Sequence, residues 1–368
     1  MKKLLFYIDR RSRGGAQRVM VELANYFAAA REYEVIFATQ MESPENGYAL
    51  GDGVREIVLK NSATGSALGK ISRMARRVKD LKELCKKENP DLVISFLIPA
   101  NIVAIKACKS LGIPVLLSVR NDPERDHGKI YHALIKRYYP LASGIVFQTE
   151  SARDYFDFKG ETAVIMNPLS APVLEAAAGN LRKPFEGERH APLRIVSVGR
   201  LEAQKRHDIT IRAFRKFAKS SPKAELTVYG EGPLRGQLED IAFGFEKAEL
   251  PGVTDRILEK LSQADVFVMS SDYEGIPNAL LEALALGRVC VSTDCPCGGP
   301  AALIEDRKNG FLFPVGDEDA LLKILEYIDE NRDEASRMAE SATGILTLCK
   351  PEAIMPQWKD IIDKCLKK

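Results

Sequence analysis

Two cations and two carboxylates in the second half of the chain have types and spacing suited to recognition chemistry. Arg200 and Lys205 lie five positions apart, just after an apolar run that ends in Val198-Gly199. An arginine fork and a lysine point charge at a strand end suit a diphosphate. Taken alone, the same pair also reads as ordinary solvated charge. Glu274 and Glu282 bracket Gly275, Ile276, Pro277, Asn278 and Leu281, after a second apolar run that ends at Met269. Proline favours a first helical turn, so a helix is predicted from about residue 277, with Glu274 in the loop before it. Amides at such a start face an anion or a hydroxyl. Two carboxylates there can accept hydrogen bonds from the hydroxyls of a sugar and a ribose. The plainer alternative is a helix cap at Glu274 and a solvated face residue at Glu282.

Other segments occupy the same topological place. Gly230 and Gly232 follow a run ending at Tyr229 and allow a tight turn with close backbone approach. Asp294-Cys295-Pro296-Cys297-Gly298-Gly299-Pro300 follows another run, and with no second pair at zinc-like spacing its cysteines do not read as metal ligands. Near the start, Arg13-Gly14-Gly15-Ala16 opens a helical pattern, where glycines let backbone approach a phosphate. Ser118-Val119-Arg120-Asn121-Asp122 ends a further strand. His127 and His132 downstream read as surface or packing residues. Asp317-Glu318-Asp319 reads as the acidic start of a helix, not as a metal motif.

The elements that must position these residues follow from periodicity. Strands are predicted at 4–8, 35–38, 92–96, 115–119, 145–148 and 163–166, then at 194–198, 226–229, 266–269, 289–292 and 311–313. Helical patterns such as 16–29 and 71–88 separate them, which implies βαβ units and buried parallel sheets. Residues 168–192 break the rhythm with four prolines and two glycines. The expected organisation is an α/β chain of two doubly wound domains, 1–168 and 193–350, joined by a linker at 169–192. A terminal helix over 351–368 is expected to cross back to the first domain. A length of 368 residues suits two cores, and 45% hydrophobic with 28% charged residues suits a folded soluble protein. A net charge of +2 argues against a nucleic-acid binder, and no apolar run reaches the length of a bilayer span. The first apolar stretch is too short for a signal peptide, and seven cysteines without framework spacing suit a cytoplasmic protein.

Lys70, Arg73, Arg76, Arg77, Lys79, Lys82, Lys86 and Lys87 line a basic amphipathic helix with Asp80 and Glu83 as its only acids. Its basic face is read either as solvated or as a peripheral contact with anionic headgroups at the inner face of a membrane.

In this order, the segments around Arg200, Gly230, Glu274 and Gly298 resemble the glycosyltransferases of family four, whose hallmark Glu-x7-Glu is matched by Glu274 and Glu282. The resemblance implies the GT-B fold, two facing Rossmann-like domains with a cleft between them. It implies a retaining, metal-independent transferase without a cofactor, moving a sugar from a UDP-linked nucleotide-sugar to a glycan or lipid-linked acceptor in cell-surface polysaccharide synthesis. Arg200 and Lys205 then contact the donor diphosphate, Glu274 the donor sugar and Glu282 the ribose. Gly275, Ile276, Pro277, Asn278 and Leu281 supply further donor contacts, as do Gly230, Gly14 and Gly15. Arg120 and Asn121 lie on the acceptor side, where some relatives place a histidine. Asn167-Pro168 resembles the family's step before the linker. Ala302 stands where many relatives carry a glutamate, which keeps two alternatives open: a nucleotide-sugar-binding protein without transfer, and a GT-B-like epimerase.

Overall fold

The computed structural model describes residues 1–59, 67–125, 128–179, 181–186 and 191–367, without the side chains of 67–71. The chain forms two compact units, Met1–Pro168 with Glu352–Lys368, and Leu169–Pro351.

The first unit runs β1 (Lys2–Ile8), α1 (Gly15–Ala29), β2 (Tyr33–Thr39), β3 (Val54–Val58), α2 (Ala67–Glu88), β4 (Leu92–Phe96) and α3 (Ile98–Lys109). It continues with β5 (Val115–Ser118), α4 (Lys129–Tyr138), β6 (Gly144–Phe147), α5 (Glu150–Asp154) and β7 (Glu161–Val164). The strands form one parallel sheet in the order β3-β2-β1-β4-β5-β6-β7. Strands β4, β5 and β6 are buried along their whole length, as expected for parallel strands covered on both faces.

The second unit opens with α6 (Ala171–Ala178), inside the proline-rich stretch. It continues with β8 (Arg194–Val198), α7 (His207–Phe217), β9 (Glu225–Tyr229), α8 (Arg235–Ala242), β10 (Ala248–Gly252) and α9 (Ile257–Gln263). Then come β11 (Val266–Met269), α10 (Asn278–Ala285), β12 (Val289–Thr293), β13 (Phe311–Phe313), α11 (Glu318–Glu330), α12 (Arg332–Ala342) and α13 (Ile345–Cys349). Its parallel sheet is ordered β10-β9-β8-β11-β12-β13. The last helix, α14 (Pro351–Leu366), joins the first unit. Its buried stripe of Ile354, Met355, Trp358, Ile361, Ile362 and Cys365 enters that unit's core, where Trp358 stacks on Phe96 at 5.7 Å.

Two strands escape the periodicity, and both are sheet edges. β3 is half-exposed along VREIV, so it has no continuous apolar run. β10 reads AELPG and carries Pro251, which a sheet tolerates at an edge because no ladder donor is lost there.

In each sheet the strand order reverses at one place, between β1 and β4 and between β8 and β11. Ligands of doubly wound folds bind at the carboxyl ends of strands beside such a switch point. No helix among the described residues is long and apolar enough to cross a membrane.

Candidate functional site

The residues singled out in the second half sit at the β8/β11 switch point. The chain leaves β8 through Gly199 and Arg200, makes a 3-10 turn at Ala203–Lys205, and enters α7. It leaves β11 through Ser270 to Pro277 and enters α10 at Asn278, so Pro277 is the N-cap and not part of the first turn. The two loops are bonded to each other. The Asp272 amide donates to the Gln204 carbonyl (2.8 Å), and Gln204 Nε2 donates to the Tyr273 carbonyl (2.8 Å). Ser270 Oγ donates to the Arg206 carbonyl (2.6 Å), and Arg206 Nη1 donates to Asp272 Oδ1 (3.1 Å). Arg206 is left-handed at φ 46°, the backbone form that swings the chain from the 3-10 turn into α7.

This seam brings Lys205 and Glu274 together. Lys205 Nζ donates to Glu274 Oε1, and Ser271 Oγ donates to the same oxygen at 2.8 Å. Glu274 is only 7% exposed. A carboxylate so buried is costly unless paired and hydrogen-bonded, and here it is both. Beside the pair, His207 begins α7 with Nδ1 3.2 Å from Ser197 Oγ. Burial, reinforced by the nearby Lys205 charge, pulls this imidazole down to about 4. It is neutral at pH 7.

Glycines shape the backing of the loops. A Cβ on Gly299 would stand 1.6 Å from the Gly275 carbonyl oxygen, and one on Gly230 would stand 1.8 Å from the Gly199 carbonyl oxygen. The close approach expected at Gly230 is therefore made to the protein's own backbone. The Cys295 segment serves the same backing: Cys295 Sγ donates to the Ser271 carbonyl (3.3 Å), as does Thr293 Oγ1 (2.6 Å).

The remaining residues of this group differ in exposure. Arg200 points to solvent with 67% of its side chain exposed and pairs with Glu202 at 3.1 Å. Glu282 is half-buried on α10, one residue after Leu281. Leu281 is fully buried and its amide donates to the Pro277 carbonyl, so its contribution here is packing. Ile276 and Pro277 are buried, while Asn278 is half-exposed. Ala302 is exposed in a turn. Asp317 caps α11 by accepting from the Ala320 amide (2.8 Å), with Glu318 and Asp319 in the first turn, as the sequence indicates. The sequence reading missed Gln204, Arg206, His207, Ser271 and Asp272. Their signal was adjacency to the chosen residues, with polar side chains on two short loops after neighbouring strands.

In the first unit, Gly14 is the N-cap of α1, with no side-chain cap and no acidic residue in the first turn. Arg120 follows β5. Its guanidinium lies over the Phe96 ring (4.8 Å) and donates to Asn167 Oδ1 (2.5 Å) and Ser118 Oγ (3.4 Å). Its Nε is buried with no hydrogen-bond partner among the described residues. Gln148 Nε2 donates to the same Asn167 oxygen at 2.7 Å. Burial, with the Arg18 charge on α1 adding to it, draws Arg120 down to about 9. Asn121 is half-buried beside it. His132 is half-buried on α4, and His127 lies outside the described residues.

Helix α2 is fastened by its inner residues: Arg77 donates to both Asp9 oxygens at 3.0 Å, and Asp80 accepts from Gln40 (3.2 Å). Arg76, Lys79, Lys86 and Lys87 are exposed, and Lys82 is half-buried. Arg77 thus belongs to the attachment, not to the basic face. The side chain of Lys70 is outside the described residues.

Residues 13–168 match the family Glycosyltransferase Family 4, and residues 192–331 match Glycosyl transferases group 1. One similar protein is a GalNAc-alpha-(1->4)-GalNAc-alpha-(1->3)-diNAcBac-PP-undecaprenol alpha-1,4-N-acetyl-D-galactosaminyltransferase of Campylobacter jejuni, 27% identical over 90% of both chains. Another is a lipopolysaccharide 1,6-galactosyltransferase of Escherichia coli, 27% identical over 86% of both chains. Among solved structures, Anabaena HepE in complex with UDP and glucose superposes with a TM-score of 0.75 at 17% identity, covering 99% of this chain and 100% of that one.

Proposed function

We propose that this chain, a glycosyltransferase of the two-domain GT-B fold, moves a sugar with retention from a UDP-linked nucleotide-sugar to a glycan or lipid-linked acceptor in cell-surface polysaccharide synthesis. The observation that carries the reading is the Lys205–Glu274 pair on two bonded loops at the β8/β11 switch point. Lys205 and the exposed fork of Arg200 meet the donor diphosphate, Glu274 meets the donor sugar, and Glu282 meets the ribose. Backbone from Gly275 to Asn278 lines the same place. Gly14 and Gly15 present the start of α1 to a phosphate, and Arg120 with Asn121 serves the acceptor.

In this mechanism the bond from the anomeric carbon to the diphosphate oxygen breaks while the acceptor oxygen bonds to that carbon on the same face. The acceptor proton passes to the departing diphosphate. Negative charge accumulates on the leaving group, and fixed cations stabilise it where it develops. Lys205 is already positioned by Glu274, so little reorganisation is needed when the charge appears. These side chains neutralise the leaving group without a metal. A lipid-linked acceptor is met at the membrane surface through Arg76, Lys79, Lys82, Lys86 and Lys87 of α2, on the cytoplasmic side.

The test is release of UDP from a panel of UDP-sugars with candidate acceptors in EDTA, with the anomeric configuration of the product read by NMR. An inverted product overturns retention. Complete loss of turnover in EDTA overturns metal independence. No UDP-sugar raising the melting temperature overturns the donor assignment.

A further inference from the structure

The β6–β7 edge of the first sheet carries an aromatic cluster that the proposed reaction does not use. Between α5 and β7 the chain reads Tyr155-Phe156-Asp157-Phe158, and α4 runs into a 3-10 turn at Tyr139–Leu141. Phe156 stacks on Tyr139 (5.7 Å, 11°) and packs on Phe147 of β6 (5.3 Å), while Tyr155 meets Phe156 edge-on at 5.2 Å. Tyr139 is fixed at its far end, where its hydroxyl accepts from Asn101 Nδ2 (3.0 Å) and Asn101 also donates to the Ser118 carbonyl (3.1 Å). Gly160 leaves room for Phe158, since a Cβ there would stand 2.4 Å from the tip of that ring. These rings wall an open cavity of about 360 Å³ between α4 and residues 155–158, which His132 and Lys136 of α4 and Asp157 also line. The same run, Tyr155–Phe158, borders a second, more polar depression of about 600 Å³ with Arg153, Asp154 and Thr162. Tyr155 is 41% exposed, and Lys136 and Asp157 are exposed as well. Aromatic rings left open to water beside polar groups mark a recognition surface.

We propose that this cavity is a second carbohydrate site, which holds a neutral sugar ring of a glycan at the β6–β7 edge, apart from the β1/β4 switch point of the same sheet. A pyranose has an apolar face of C–H groups and a perimeter of hydroxyls. The C–H face needs flat apolar area, which Tyr155, Phe156 and Phe158 supply, and the hydroxyls need donors and acceptors, which Lys136 and Asp157 supply at the rim. Rim charges of opposite sign leave little net attraction for an anion. A hydrocarbon chain would strip water from both rim charges and return no hydrogen bond. The adjoining polar depression takes the next sugar of the chain, so the two together suit an oligosaccharide. Stacking and buried hydrogen bonds hold Tyr139 and Phe156, so the site is formed before its ligand arrives. The inference rests on the proposed function only in taking the glycan to be the acceptor or its product.

The experiment follows the full chain by calorimetry and by the methyl NMR signal of Ile135, which lines the cavity. The probes are the neutral trisaccharides chitotriose, maltotriose and galactotriose, with trigalacturonate as the anionic comparison and farnesyl phosphate as the lipid one. The expected result is that at least one neutral trisaccharide binds and shifts the Ile135 signal, and that Tyr155→Ala weakens it roughly tenfold, the scale of losing one stacked ring. Phe158→Leu, which keeps the bulk but loses the flat face, weakens it likewise and serves if the Tyr155 variant does not fold. Arg120→Met leaves the affinity unchanged. Failure of all three neutral trisaccharides to bind overturns the proposal, and so does wild-type affinity in the ring variants. Loss of binding in Arg120→Met with wild-type binding in Tyr155→Ala puts the sugar at the acceptor end of β5 and also overturns it. Tighter binding of trigalacturonate or farnesyl phosphate at the same rings overturns a neutral sugar as the ligand. A chain that releases no UDP from any UDP-sugar counts against the transferase reading alone, because trisaccharide binding is measured without a donor.

Discussion

Arg120 in the first unit and Lys205 in the second are both cations set just past the carboxyl end of a parallel strand, yet they are kept in opposite ways. Lys205 is bonded to a buried glutamate, which is itself held by Ser271. Arg120 rests on an aromatic ring and neutral oxygens. The first arrangement is complete within the protein: the pair compensates its own burial, and a ligand must share or displace it. The second holds its cation by an aromatic face and neutral oxygens, without a direct ion pair among the described residues. A site that must hold the developing charge of a leaving group gains from the first kind of preorganisation. A site that must orient an incoming group gains from the second, because a stacked guanidinium keeps its plane fixed.

The largest expected effect comes from breaking the completed pair. Lys205→Met leaves Glu274 buried alone and should cost about 3–5 kcal/mol in urea unfolding. It should also lower turnover by roughly 100- to 1000-fold, the scale of losing one charge-stabilising donor. Adding Glu274→Gln should restore most of the stability but none of the activity. Full stability in the single variant would show that the pair is not compensating.

His207 tests how firmly this site excludes charge. Its folded pKa, about 4, lies below the unfolded value, so protons bind the unfolded chain first. Its contribution is complete above about pH 6.5 and is lost as pH falls toward 4, a loss of roughly 3 kcal/mol. Unfolding free energies of His207→Gln between pH 4 and 7 should lack this slope. An unchanged slope would assign it to other groups.

Gly299→Ala places a methyl against the Gly275 carbonyl. A loss of roughly 1–3 kcal/mol is expected, together with a weakened thermal response to UDP, because the loop that carries Glu274 must shift. A variant as stable and responsive as wild type would mean that the backing does not hold the loop.

The smallest effect sharpens the contrast from the other side. Arg120→Met removes the hydrogen bonds to Asn167 and Ser118 and should cost about 1 kcal/mol in urea unfolding. Arg200→Ala, at a 67% exposed side chain, should leave stability within about 0.5 kcal/mol while reducing turnover. Destabilisation of the Arg120 variant by several kcal/mol would make that residue structural.

Much of the fold was legible because buried parallel strands leave continuous apolar runs, as in LVISF of β4 and VFVM of β11. The edges were not: β3 and β10 bury one side at most, and their composition follows a loop as readily as a strand. The site was partly legible. Arg200, Lys205 and Glu274 stood out because each follows an apolar run closely. Their unlike surroundings did not, because burial depends on which loops pack together. Leu281 was singled out by its place in a motif, and its burial shows a core residue. Arg77 read as part of a basic face, and its bond to Asp9 turns it inward.

By itself the sequence determined the alternation of strands and helices, the reversal into two doubly wound sheets, and the chemical types at the strand ends. These follow from local propensity and periodicity, which neighbouring residues carry. Only the tertiary structure decided that Lys205 is paired with Glu274 while Arg200 is left in water and Arg120 rests on Phe96 and Asn167. Those outcomes rest on distances between segments far apart in the chain, 69 residues for the Lys205–Glu274 bond. They also rest on desolvation, which a side chain acquires only when the elements around it close.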